Sequence, residues 1–241
     1  MELEIAGRKF QADVRNANDL LPVLAYPNEL KENFPAYFMF RDVFYSEKDL
    51  EKIKKYNLRY DVTIIPPNKI GKEFIKTYGH YHPEVEFNLS YPEIYEVLEG
   101  EAFFVIQRRE NSSIDIINDF IAIKAEKHDK IIIPPNYGHV TINPSEKELK
   151  MSNWVFRDFS SIYEPYAKMR GACYYYTTDG WIKNENYKSI PEIRFAKPNY
   201  DFLIEKDVEM YELVKNIEKL EFLWKPSKYA EMFKKVFQFL D

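Results

Sequence analysis

From about residue 59 to residue 183 the chain is a succession of short runs rich in Val, Ile, Tyr, Phe and Thr. Turn signals separate them: Pro66-Pro67-Asn68, Glu99-Gly100, Pro134-Pro135-Asn136, Asn143-Pro144 and Asp179-Gly180. β-Branched and aromatic side chains suit a pleated, half-buried surface, and Pro and Gly interrupt it. Many short strands punctuated in this way indicate an all-β sandwich or barrel. Asp179-Gly180, lying between Tyr174-Tyr175-Tyr176 and Trp181-Ile182, predicts a two-residue hairpin turn. With 19 Tyr and 18 Phe among 241 residues, the chain has the material for a large core.

The flanks read differently. Residues 1–58 are a mixed segment expected to pack on the barrel, with a helical patch at Glu47 to Lys55; residues 59–197 form the barrel itself. Residues 198–241 read as a helical extension. There Asp207 to Trp224 places Met210, Leu213, Val214, Ile217, Leu220 and Trp224 on one stripe, and Tyr229 to Leu240 repeats the habit. The expectation is a pair of amphipathic helices laid on the barrel or on a second subunit. A net charge of −5 without a basic stripe argues against nucleic acid as a partner. No apolar run approaches the ~20 residues of a membrane span. The start, MELEIAGRKF, lacks the apolar stretch of a secretory signal, so a cytoplasmic protein is expected. Cys173 stands alone, which excludes an internal disulfide, suits a reducing compartment and reads as a small core residue.

Histidine is scarce, with four in 241 residues, yet two of them form His80-Tyr81-His82. On a strand that alternation sends both imidazoles out of one face. Glu93 opens the run EIYEVLEG, sharing a face with Tyr95 and Val97, and Gly100 follows seven positions on, closing a turn that places the carboxylate near the start of a hairpin. His139 comes after the stiff Pro134-Pro135 approach, and Asn143 four residues later. Three imidazoles and one carboxylate can hold a divalent metal and leave coordination positions free for substrate. Glu86 also lies at a plausible distance after His82, but only Glu93 has the glycine behind it. His128 is given no role.

The spacings HxH, then Glu followed by Gly100, then Pro-Pro leading to His139 and Asn143 resemble the two motifs of the cupin superfamily. A cupin double-stranded β-helix, or jelly-roll barrel, is therefore the expected fold. With KIGKEFIKTYGHYH, YPEIYEVLEG and IIIPPNYGHVTIN, residues 35–185 or so resemble the cupin-type, archaeal-type glucose-6-phosphate isomerases. That resemblance implies one divalent ion per subunit (Fe, Mn, Ni or Zn) on His80, His82, Glu93 and His139. It also implies a homodimer and interconversion of glucose 6-phosphate and fructose 6-phosphate by an enediol or hydride-shift route. It puts Glu93 and Tyr95 at the reacting sugar and Thr63, Thr77, Gly79 and Tyr163 at the phosphate. A family tyrosine falls on Val155, with Trp154 or Phe156 as neighbours in a loose register, and Pro83 to Pro92 is longer than in the minimal form. The same ligands serve cupin dioxygenases, and some cupins only bind sugars. Thr63 and Thr77-Tyr78-Gly79 favour the isomerase because a dioxygenase needs no phosphate anchor.

Overall fold

The computed structural model describes residues 1–240. Its framework is two facing sheets. The strands that matter for the site are β1 (Asp13–Asn16), β2 (Pro35–Phe40), β3 (Leu58–Ile65), β4 (Glu93–Glu99), β5 (Glu101–Arg109), β6 (Ile117–Glu126) and β7 (Lys130–Ile133). They are followed by β8 (Gly138–Ile142), β9 (Leu149–Phe156), β10 (Tyr174–Thr177), β11 (Gly180–Lys183), β12 (Arg194–Pro198) and β13 (Phe237–Phe239). One sheet runs β7-β4-β9-β3-β2-β1, the other β8-β5-β6-β12-β13. Every pairing in both is antiparallel except β6 with β12. Consecutive strands β4 and β5 lie in different sheets, as do β8 and β9, so the chain winds between the layers as a jelly roll does.

The crossing at Glu99-Gly100 corrects an expectation: it is a corner between sheets and not a hairpin. Gly100 sits at φ +82°, and a Cβ there would come within 2.5 Å of the Glu148 carbonyl oxygen, so only glycine fits this corner. The expected hairpin between β10 and β11 forms one residue earlier than read: its two-residue loop is Thr178-Asp179, and Gly180 pairs with Thr177 as the first residue of β11.

Two further boundaries differ from the sequence reading. Strands β1 and β2, within residues 1–58, are built into the six-stranded sheet, because Phe38, Met39 and Phe40 pair with Ile64, Thr63 and Val62 of β3. The helix α1 (Glu47–Lys55) forms as expected: the Ser46 hydroxyl accepts from the Asp49 amide at 3.1 Å, acids fill its first turn and lysines its last. In the tail, Met210–Leu223 is a 3-10 segment broken at Asn216, and the final residues form strand β13 on β12. The reason lies in the apolar spacing. Val214, Ile217, Leu220 and Leu223 recur every three residues, which a three-residue turn stacks on one face better than a 3.6-residue one. Burial along the expected stripe is nevertheless observed, since Met210, Leu213, Val214, Ile217 and Leu220 are all buried and only Trp224 is partly exposed.

The core falls into two parts. One fills the barrel around Phe104, Ile121 and Tyr166, with buried Cys173 among its members. The other lies between the outer face of the six-stranded sheet and the tail, where Tyr60, Trp154 and Tyr211 meet and the Trp154 indole donates to the Met210 carbonyl at 3.1 Å. A buried ion pair fastens the tail further. Lys130 Nζ lies 3.2 Å from Glu96 Oε1 and donates to the carbonyls of His128 and Lys206, while Glu96 Oε2 accepts from the Met210 amide at 2.7 Å.

Candidate metal centre

The segment carrying His80 and His82 is tied in as a strand-like ribbon. His80 and His139 exchange backbone hydrogen bonds at 3.3 and 3.0 Å, and Tyr81 and Ile162 do so at 3.0 and 2.8 Å. Alternation then turns both imidazoles inward, while Tyr81 points the other way and accepts a hydrogen bond from Gln107. Glu93 begins β4, and His139 sits in β8 opposite Ile106, so two sheets and the ribbon converge on one point.

The geometry is tight. One donor atom from each of His80, His82, Glu93 and His139 lies within 4.8 Å of all the others. His80 Nε2 is 3.1 Å from His82 Nε2, and Glu93 Oε2 is 3.2 Å from His139 Nε2 and 3.5 Å from His82 Nε2. The other Glu93 oxygen accepts from Asn153 Nδ2 at 2.7 Å, while Oε2 is buried without a hydrogen-bond donor. The Tyr95 hydroxyl stands 3.0 Å from His139 Nε2. His82 Nδ1 is 2.9 Å from the Tyr91 carbonyl, which can only accept. The Nδ1 proton is thereby fixed, and Nε2 presents its lone pair to the cluster.

Electrostatics follow from burial. It holds His80 well below its ordinary value, with His139 and His82 adding to the effect, and takes His82 down to about 4 despite the opposing pull of Glu93. Burial alone would raise the Glu93 carboxyl, but His139 and His82 beside it outweigh that and keep it below its ordinary value. Burial and the Glu93 charge push the Tyr95 phenol well up. Neutral His80 and His82 beside an ionised Glu93, one of whose oxygens has no donor, are in the protonation states that a divalent cation takes as ligands. These four residues fit such an ion.

His80, His82 and Glu93 open onto a cavity that is continuous with solvent. Thr63, Thr77, Gly79, Tyr163 and Val155 all line it. Thr77 Oγ1 accepts from the Thr141 amide at 3.0 Å, and the Tyr163 ring lies 5.4 Å from that of His80. Trp154 faces the second core instead, and Phe156 stacks on Tyr91 at the wall. Glu86 lies away from the cluster and accepts from the Ser227 amide at 2.9 Å. His128 occupies a turn at φ +73°, outside the cavity. The stretch Pro83 to Pro92 forms a small hairpin whose last turn brings Tyr91 against Phe156 and Phe159.

Gly79 sits at φ +87°, and a Cβ there would come within 2.7 Å of both Tyr166 and Val140. Gly79→Ala should therefore destabilise the fold by about 2–4 kcal/mol and dislodge the neighbouring His80. A melting curve together with bound-metal content checks both parts, and wild-type values for the two would contradict the steric reading.

Sequence reasoning missed Arg41, Arg59, Asp61 and Asn153. Asp61 is fully buried and takes Arg41 Nη1 and Arg59 Nε, each at 2.8 Å, while both arginines line the cavity. One signal was available: Arg59 and Asp61 lie on the same strand face as Thr63, at a spacing of two.

The fold and site define a cupin barrel with a buried three-histidine, one-glutamate centre able to hold a metal ion. A family model described as glucose-6-phosphate isomerase (GPI) matches residues 14–192, and the chain belongs to that family. Similar curated relatives bear the same name. The Thermococcus litoralis protein is 30% identical over 94 residues, covering 39% of this chain and 44% of that one. The Thermococcus onnurineus protein is 27% identical over 120 residues (50% and 54%), and the Pyrococcus furiosus protein 31% over 90 residues (37% and 42%). The chain thus spans about half the length of the curated relatives it matches. Among solved structures, an oxalate oxidase in complex with glycolate overlaps 52% of this chain and 51% of its own, at 16% identity and a TM-score of 0.36.

Proposed function

We propose that this chain is a metal-dependent aldose–ketose isomerase that interconverts glucose 6-phosphate and fructose 6-phosphate. The convergence of His80, His82, Glu93 and His139 on one point beside an open cavity, in a member of this family, carries the reading. His80, His82, Glu93 and His139 would hold one divalent ion per subunit (Fe, Mn, Ni or Zn), which would supply Lewis-acid polarisation of the substrate.

The chain's own groups do the rest. Glu93 is kept ionised at the reacting end, so it can take the proton from C2 of the open-chain aldose and return it to C1, while the hydroxyl proton of O2 passes to O1. Asn153 fixes one carboxylate oxygen by its 2.7 Å hydrogen bond, and the other, which would hold the ion, would turn toward carbon on loosening from it. The Tyr95 hydroxyl donates to a substrate oxygen, a role suited to a phenol that stays protonated. Thr63, Thr77, Gly79 and Tyr163 line the remaining cavity and receive the rest of the sugar phosphate. A direct hydride shift between C2 and C1 would dispense with the Glu93 proton transfer while keeping the same orientation. A cytoplasmic homodimer is part of the proposal. No helix among the described residues is long and apolar enough to cross a membrane.

The decisive experiment feeds fructose 6-phosphate to the purified protein and couples the glucose 6-phosphate formed to its oxidation. Turnover should vanish on treatment with a chelator and return with added divalent metal, a change of at least about 10³-fold. Turnover indifferent to the chelator would overturn the metal assignment. Oxygen uptake without sugar interconversion would replace the isomerase by a dioxygenase.

A further inference from the structure

Asp61 carries one negative charge and holds two arginines. Its Oδ2 accepts from Arg41 Nη1 and Arg59 Nε, and its Oδ1 accepts from the Asp42 amide at 3.0 Å, so both oxygens of the buried carboxylate are engaged. One guanidinium would suffice to neutralise it. The second is a surplus positive charge within the Asp61 cluster; the Glu93 carboxylate faces the same cavity and offsets it only while no cation claims that carboxylate.

The unused donors are placed to take an anion. Arg41 Nη2 meets only the Met39 thioether at 3.1 Å, a weak acceptor, and neither Nη of Arg59 has a hydrogen-bond partner among the described residues. The two side chains stay 39% and 26% exposed while their shared carboxylate is sealed. Both line the cavity that contains His80, His82 and Glu93. The cross-strand partner of Arg59 is Val155, a short side chain that makes no claim on the guanidinium. Proton transfer between C1 and C2 employs neither arginine.

We infer that Arg41 and Arg59, splayed on Asp61, are the phosphate-recognition element of this site and take the dianionic phosphate of a sugar monophosphate through their free Nη donors. The inference rests on the isomerase reading and deepens it. The charged part of recognition moves from the threonine hydroxyls to a guanidinium pair pre-oriented by a buried carboxylate. Guanidinium forks match phosphate oxygens bidentately, and the buried Asp61 removes the entropic cost of aiming them.

The test is calorimetric binding to wild type and to Arg59→Gln, with inorganic phosphate, glucose 6-phosphate and unphosphorylated glucose, each with metal present and after chelation. Arg59→Gln is the variant of choice because Arg41 and the Asp42 amide still satisfy Asp61. Glucose 6-phosphate and inorganic phosphate should bind wild type, and glucose far more weakly. Arg59→Gln should weaken both phosphates by about 10- to 100-fold, also in the chelated protein, and Arg59→Lys should recover part of the loss. In turnover, KM should rise more than kcat falls. A fold defect in the glutamine variant is met by a measurement on wild type: phosphate should slow modification of Arg59 by phenylglyoxal, followed by peptide mass analysis.

Unchanged phosphate affinity in a folded Arg59→Gln protein, or no protection of Arg59, overturns the inference. So does loss of phosphate binding in Thr63→Val with Arg59→Gln at wild-type affinity, which returns the anchor to the threonines. The two readings separate cleanly. Arginine-dependent phosphate binding without isomerisation sinks the proposed activity alone, and isomerisation with KM unmoved in Arg59→Gln sinks the arginine pair alone.

Discussion

His82→Ala should leave a folded barrel that neither retains metal nor turns over fructose 6-phosphate. His82 contributes an Nε2 that lies 3.1 Å from the corresponding nitrogen of His80 and 3.5 Å from Glu93. Removing it takes one of four donors from the cluster and opens a water-sized gap beside the others. Activity should fall by at least about 10³-fold, the scale of a lost Lewis acid. Elemental analysis of dialysed protein should show the ion gone. The melting temperature should change little, because the imidazole makes one backbone hydrogen bond and the barrel core lies elsewhere. Metal stoichiometry and turnover near wild type would remove His82 from the centre.

Lys130→Met is the second large effect, and it concerns stability. Both Lys130 and Glu96 are 0% exposed, and the lysine also donates to carbonyls of the tail. Cutting the ammonium away strands a carboxylate in the core and frees the chain at residues 205–206. Breaking one half of a buried pair costs about 3–5 kcal/mol, or roughly 10 °C in the midpoint of a protein this size. The double change Lys130→Met with Glu96→Gln should recover part of the loss, since no charge then stays buried. Calorimetry decides the matter, and a loss under about 1 kcal/mol in the single variant would mean that water reaches the carboxylate.

The cluster of His80, His82, Glu93 and His139 could be read from the sequence because its signals are local. A spacing of two sets the shared face of His80 and His82, and Gly100 marks the corner after the strand that Glu93 opens. The arginine pair could not be read in the same way. Arg41 and Arg59 meet on Asp61 only because β2 lies on β3 with Met39 opposite Thr63, and nothing in either segment announces that register. Strands β1 and β2 escaped notice for a related reason, being four- and six-residue pieces among turns and too short for their alternation to stand out. In the tail the apolar stripe was legible, but its spacing of three was compatible with more than one kind of helical turn, and the strand at Phe237–Phe239 depends on Ala196 and Pro198 being there to pair with.

His82 is oriented by the carbonyl of Tyr91, a main-chain group that every amino acid possesses. The hairpin that supplies it can therefore change side chains without altering which nitrogen of the ring carries the proton, so long as residue 91 keeps its place against Phe156 and Phe159. The ring proton of His82 thus depends on where the hairpin lies and not on the chemical character of the side chain at position 91.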